Sequence, residues 1–174
     1  ALARRERRAS RTRVVTSAIE HHAVLDSAAD LARYDGFTAQ QVPVDPSGTV
    51  TPDAFRAALS GDDDVAVASV MLANNEVGSV QDVATLAEMA AEYNVPLHTD
   101  AVQAAGTLPL DVRALGVSAL SLAGHKIGTP PGIGLLWLRR GTPLRPLFSG
   151  GGHERGRRSG TSTVAGAVGL AVAL

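Results

Sequence analysis

Ser-Leu-Ala-Gly-His-Lys-Ile-Gly-Thr-Pro-Pro-Gly-Ile-Gly, residues 121–134, is the stretch from which the fold of this chain is read. The apolar run 118–122 predicts a buried strand that feeds directly into Gly124, His125 and Lys126. A second apolar run, 133–138, leaves the glycine- and proline-rich turn on its far side. A lone lysine at a strand end, beside a histidine and glycine turns, is where a Schiff-base lysine is expected. Taken alone, the stretch reads more simply as a hairpin loop carrying a surface lysine. The rest of the chain reverses that.

Upstream, strands and helices alternate. Residues 14–16 predict a short strand, and 22–34 a helix with Val24, Ala28 and Leu31 on one face and Gly36 just past its end. Residues 38–44 return as a strand, and Asp45-Pro46-Ser47-Gly48 is a turn. Thr51 then caps a helix with Pro52 at its first position, ending at Gly61. Residues 65–71 are apolar or small throughout, as suits a strand covered on both faces. In 82–93, Val83, Leu86, Ala87 and Ala90 form one helical stripe, stopped by Asn94 and Pro96. Residues 96–99 are the next strand, 112–115 a short turn of helix, and 118–122 leads back to the lysine.

Repeated strand–helix–strand units predict an α/β fold, three layers α/β/α with a mostly parallel sheet. Ligands of such sheets bind beyond the carboxyl ends of the strands. Asn74, Asn75, Asp100 and Lys126 all fall there.

Composition narrows the function classes. With 45% hydrophobic residues in 174, the chain supports one real core, and at 3% aromatics that core is built of alanine, valine and leucine. A formal net charge of −1 gives no general electrostatic case for nucleic acid or membrane, and neither is expected as a partner. No cysteine is present, so neither a disulfide framework nor a thiolate metal site is available, and no metal is expected. The apolar run 164–174 is too short for a membrane span. Residues 4–13 hold six arginines and one glutamate without interleaved aromatics. They read as a solvated helix tail rather than a nucleic-acid arm or transit segment. Opening on alanine and closing inside the start of a helix, the chain is expected to be an internal piece of a longer protein.

Five segments carry a resemblance. They are Glu20-His21-His22-Ala23-Val24-Leu25, Asn74-Asn75-Glu76-Val77-Gly78, His98-Thr99-Asp100-Ala101-Val102-Gln103, Gly124-His125-Lys126, and Gly150-Gly151-Gly152-His153-Glu154-Arg155-Gly156 with Arg158-Ser159-Gly160-Thr161. In this order and spacing they resemble the cysteine desulfurases, within the class V aminotransferase family of pyridoxal-phosphate (PLP) enzymes. The resemblance implies that residues 1–174 are the central part of the PLP-binding large domain of a fold-type I transferase.

By that resemblance Lys126 is the cofactor lysine, joined as an imine to the pyridoxal aldehyde. Asp100 faces the pyridine nitrogen and keeps it protonated. His21 stacks on the ring and serves in acid–base steps, while His22 stands where the family varies. Gln103 bonds the ring hydroxyl oxygen, with Asn75 nearby. His125 contacts the phosphate, and Thr161 reaches the phosphate of the partner subunit's cofactor. Implied with these are L-cysteine as substrate, alanine and an enzyme persulfide as products, a homodimer, a cytoplasmic location and a sulfur-acceptor protein. Iron–sulfur assembly, tRNA thiolation and DNA modification are equally open destinations.

Three departures stand out. Ala123 occupies a position where the family usually has a phosphate-binding serine, which implies a weaker phosphate shell unless Thr129 or another group substitutes. The phosphate loop would precede residue 1. The catalytic cysteine and the carboxylate-binding arginine would follow residue 174. Another class V activity, such as a selenocysteine lyase or an aminotransferase, and a truncated non-catalytic copy are the alternatives. Residues 150–158 have no Gly-x-x-x-x-Gly-Lys pattern and read as a mobile connector toward the active site and the dimer partner.

Overall fold

Val-Ala-Val-Ala-Ser, strand β3 (Val65–Ser69), is buried at every position. It lies inside a sheet of six strands, with β1 (Arg13–Ser17), β2 (Thr38–Val42), β4 (Leu97–Asp100), β5 (Ala119–Ala123) and β6 (Gly134–Leu138), in the order β2-β1-β3-β4-β5-β6. The computed structural model describes residues 2–5, 11–61 and 64–174. Every pairing is parallel except β5 with β6, which is antiparallel. Parallel pairing needs a crossover of a dozen or more residues. The connection 124–133 is shorter, so β6 returns beside β5 and keeps that loop at the carboxyl edge of the sheet.

Neighbouring residues of a strand face opposite sides, and Val14 and Val15 accordingly enter two different cores. On one side α2 (His22–Tyr34) packs Ala28 and Leu31 with Val14, Phe37, Ala66 and Val67, next to the short α1 (Leu2–Arg5). On the other, α3 (Pro52–Leu59) and α4 (Val83–Glu92) bring Phe55, Leu59, Leu86 and Met89 against Val15, Val70, Leu97 and Val117. The three expected layers follow.

The caps are local chemistry. Thr51 accepts a hydrogen bond from the Ala54 amide at 3.3 Å, and Asp82 accepts one from the Thr85 amide at 3.2 Å. α2 stops where Gly36 turns left-handed, φ 70°, which lets the Phe37 amide reach the Leu31 carbonyl at 3.2 Å. β2 ends at Val42 because Pro43 has no amide to donate. Pairing beyond β3 continues past its last residue, with the Leu72 amide donating to the Asp100 carbonyl at 2.8 Å.

Residues 112–115 form the expected short turn, closed in helical fashion by the Leu115 amide on the Asp111 carbonyl at 2.9 Å. One expectation changes. Of the arginine-rich stretch 4–13, residues 6–10 lie outside the described residues, but its end is no solvated tail. Arg11 is 6% exposed and donates to the Asn94 carbonyl at 2.8 Å. Arg13 pairs with Asp64 at 2.7 Å and also bonds the Gln40 side chain. Both guanidiniums are used to tie β1 to what lies beside it.

The remaining helices are α5 (His153–Gly156), a single turn in which Glu154 and Arg155 are left-handed, and α6 (Val164–Ala173). Apolar nearly all round, α6 buries Leu170 and leaves Val164, Val168 and Val172 exposed. Among the described residues, no helix is long and apolar enough to cross a membrane.

Candidate active site at the carboxyl edge of the sheet

Four adjacent strands, β1, β3, β4 and β5, end side by side, and their exits carry most of the residues singled out above. Asp100 is the last residue of β4, buried, with its Oδ1 accepting from the Val102 amide at 2.9 Å. Two residues back on the same side is His98. Its Nδ1 meets the Ser69 hydroxyl at 2.9 Å and its Nε2 meets the Ser121 hydroxyl at 3.1 Å, so one imidazole links β3, β4 and β5. Burial pushes His98 down to about 4, against the smaller opposing pull of the Asp100 charge. The ring is therefore neutral at physiological pH, donating at one nitrogen and accepting at the other.

Glu20, past the end of β1, is 5% exposed. Its Oε1 accepts from the Ser17 hydroxyl at 2.7 Å and the Met71 amide at 2.6 Å, while its Oε2 is buried without a partner among the described residues. Burial raises this carboxyl to about 7, Asp100 adds to the rise, and the Ser17, Met71 and Ser69 contacts lower it. His21 follows as the N-cap of α2. Its Nδ1 accepts from the Ala23 amide at 3.1 Å, which leaves Nε2 as the protonated nitrogen of the neutral ring, on an exposed side chain. His22 lies edge-on to it, ring centroids 6.3 Å apart.

Past β3, Asn75 is exposed and Asn74 buried. Past β4, Gln103 is half-buried, its backbone carbonyl accepting from the Thr107 hydroxyl. Past β5, Gly124–Lys126 form one 3-10 turn with Gly124 buried and His125 and Lys126 exposed. Only glycine fits at the head of that turn. A Cβ on Gly124 would collide with Thr129 Oγ1 and stand 2.7 Å from Ile133 Cγ2. Gly124→Ala is expected to cost about 1–3 kcal/mol through overpacking, read as a lower urea midpoint of the whole protein with unchanged m-value. An unchanged midpoint would show that the turn relaxes freely.

Thr129 does not replace the missing serine hydroxyl. It is buried, with Oγ1 donating to the Pro130 carbonyl at 3.2 Å and its amide bound to the Gly124 carbonyl at 3.1 Å. Its side chain packs the turn from inside. Thr161 is exposed and lines a groove of about 980 Å³ with Leu136, Phe148, Arg158 and Leu170, between β6 and α6. The structure thus gathers His21, Asn75, Asp100, Gln103, His125 and Lys126 at the strand ends and sets Thr161 apart. Sequence reasoning placed Asn74 at a strand end without giving it a role, and assigned nothing to Glu20 or His98. The available signal was adjacency, since each lies one or two residues from a chosen position. Among the described residues, no group of three or more His, Asp or Glu side chains is placed to hold a metal ion.

A family model described as aminotransferase class-V matches residues 2–174. The chain belongs to the class V aminotransferase family. Within it, the chain is 52% identical over 171 residues to the IscS-like cysteine desulfurase of Mycobacterium tuberculosis, matching 98% of this chain and 44% of that protein. It is 45% identical to the cysteine desulfurase NifS of Azotobacter vinelandii, over 94% of this chain and 40% of that one. Among solved structures, SspA in complex with cysteine superposes with a TM-score of 0.89 at 34% identity, covering 99% of this chain and 49% of that one. The class V chain described here thus spans less than half the length of the curated relatives it matches.

Proposed function

We propose that the whole protein is a PLP-dependent cysteine desulfurase, taking sulfur from L-cysteine to leave alanine and an enzyme persulfide. Residues 1–174 form the central part of its PLP-binding large domain in this reading. The observation that carries it is the pairing of a buried carboxylate, Asp100 at the end of β4, with a lone amine, Lys126 past the end of the neighbouring strand β5. A buried anion beyond a strand end fits a cationic ring nitrogen, and Lys126 is the sole lysine of the 174 residues. The residues present therefore fit the cofactor. The names and identities of the relatives support the substrate.

When bound, PLP supplies an electron sink for charge developing at the substrate α-carbon. The chain supplies the rest. Lys126 Nζ attaches the cofactor and is the group that moves a proton at the α-carbon. Asp100 holds the proton on the ring nitrogen by charge. His21 presents a ring bearing its hydrogen on Nε2, Gln103 and Asn75 offer hydrogen bonds to the ring substituents, and His125 offers one to the phosphate. Thr161, set apart from these, suits the phosphate of a partner subunit in a cytoplasmic homodimer. The thiol that receives sulfur comes from outside these cysteine-free residues, and from it sulfur passes to an acceptor protein.

Borohydride reduction of the whole protein loaded with PLP, followed by peptide mapping, is expected to place the label on Lys126. A label on a lysine outside residues 1–174 overturns the reading.

A further inference from the structure

The two loops that leave β1 and β3 hold each other. From the first, the Glu20 carboxylate crosses to the backbone of the second, accepting from the Met71 amide at 2.6 Å. From the second, the Asn74 amide crosses back, its Nδ2 donating to the Ile19 carbonyl at 2.8 Å. Each crossing side chain is braced at home. Ser17 donates its hydroxyl to Glu20 Oε1 at 2.7 Å, and Asn74 Oδ1 accepts from the amides of Glu76 and Val77, each at 2.8 Å. Both are buried, at 5% and 9% exposure. The residue immediately after each, His21 and Asn75, is exposed at the strand-end site.

We propose that Glu20 and Asn74 are positioning residues, a reciprocal clasp that fixes the β1 and β3 exit loops against each other and so sets His21 and Asn75 at the cofactor ring. This rests on the cofactor reading above. Neither residue touches the cofactor in this arrangement.

The pattern has a physical logic. A buried carboxyl and a buried amide are costly to desolvate, and well-packed apolar residues of the same volume give equal or greater stability. What apolar contacts lack is direction. Two hydrogen bonds running opposite ways between the same two loops define their offset along the strand axis as well as their separation. That is the quantity a flat ring needs if a histidine from one loop is to lie on its face while an asparagine from the next reaches its edge. Glu20 is not needed to cap α2, because His21 already accepts from the Ala23 amide. Nor is Asn74 needed only for its own turn, because its Nδ2 donates across to the Ile19 carbonyl at 2.8 Å besides its contact with Met71 Sδ at 3.3 Å in its own loop.

The test uses the whole protein with PLP and reads two quantities besides turnover: the half-saturating PLP concentration and the visible circular dichroism of the bound cofactor. The dichroism reports the asymmetry of the ring's surroundings and does not move if only global stability changes. Glu20→Leu removes the clasp at similar volume. Asn74→Asp keeps Oδ1 for the Glu76 and Val77 amides but, ionised, sets an oxygen against the Ile19 carbonyl, so it cuts the crossing bond together with the weak Nδ2 contact to Met71 Sδ. Each is expected to raise the half-saturating concentration at least tenfold and to halve the visible ellipticity per bound cofactor. Glu20→Gln, whose amide oxygen accepts from the same two donors, is expected to recover most of both signals. Wild-type ellipticity and affinity in either folded variant overturn the clasp, even if the apoprotein melts earlier, since that outcome marks a scaffold role only. If Glu20→Leu does not fold, Asn74→Asp decides alone. Failure of the unmodified protein to bind PLP overturns the cofactor reading itself, and the inference with it.

Discussion

With asparagine at position 100, the whole protein is expected to fold normally and to turn over cysteine roughly a hundred- to several-thousandfold more slowly. Asp100 is buried at the end of β4 and its Oδ1 is already engaged by the Val102 amide. The amide side chain fills the same space and preserves that hydrogen bond, so the strand end stays intact. What is lost is charge. In the proposed reading, leaving a cationic ring nitrogen without its buried anion costs about 3–5 kcal/mol by analogy with broken buried ion pairs, and the rate follows by a factor of ten for each 1.36 kcal/mol. Single-turnover kinetics with far-ultraviolet dichroism as the folding control would check it. Turnover within twofold of wild type would reject the electrostatic role of Asp100.

The second large effect is hidden until one of two residues is changed. Glu20 is raised from an ordinary 4.5 to about 7, chiefly by burial, and His98 is lowered from 6.5 to about 4, also by burial. Above pH 4.5 the unfolded chain releases the Glu20 proton while the native state keeps it, so this residue makes stability fall as pH rises toward 7. Below pH 6.5 the unfolded chain takes up a proton on His98 that the native state refuses. This residue therefore makes stability fall as pH drops toward 4. Over the shared window the slopes cancel, although each is worth up to about 3 kcal/mol.

Glu20→Gln removes the first slope. The variant is expected to exceed wild type by up to about 3 kcal/mol at pH 8 and to lose stability on acidification below pH 6.5, where wild type stays level. His98→Gln should show the opposite, a decline from pH 4.5 to 7. Urea unfolding of the apoprotein at pH 5 and pH 8 measures both. Parallel pH profiles in wild type and Glu20→Gln would mean that Glu20 is ionised inside the fold.

Much of this architecture was readable from residue patterns because the signals are local. Thr51-Pro52 announces a helix start and Gly36 a helix stop. The run 65–71 carries no charged residue, which suits a strand buried on both faces. The brevity of 124–133 makes β6 antiparallel once β5 is placed. What escaped depends on contacts far along the chain. Arg11 looked solvated by type and by its basic neighbours, yet it satisfies a carbonyl 83 residues away. Thr129 looked like an available hydroxyl because its packing against Gly124, which buries it, appears only when the turn closes. Glu20 and His98 sit inside motifs read for their neighbours, and nothing local distinguishes a buried carboxyl from an exposed one.

The reach of the contacts around the strand ends bears on how the protein acquires its shape. Glu20 meets Met71 across 51 residues, Asn74 meets Ile19 across 55, and His98 joins partners 29 residues before it and 23 after. No piece of the site can form ahead of the sheet, since loop closures of this length are slow relative to local helix formation. A small molecule that requires several of these exits at once binds the finished chain and not its precursors, and by mass action it holds the chain there. Uptake of such a molecule during refolding, followed as the growth of its visible dichroism, would time the last global event rather than the appearance of helices.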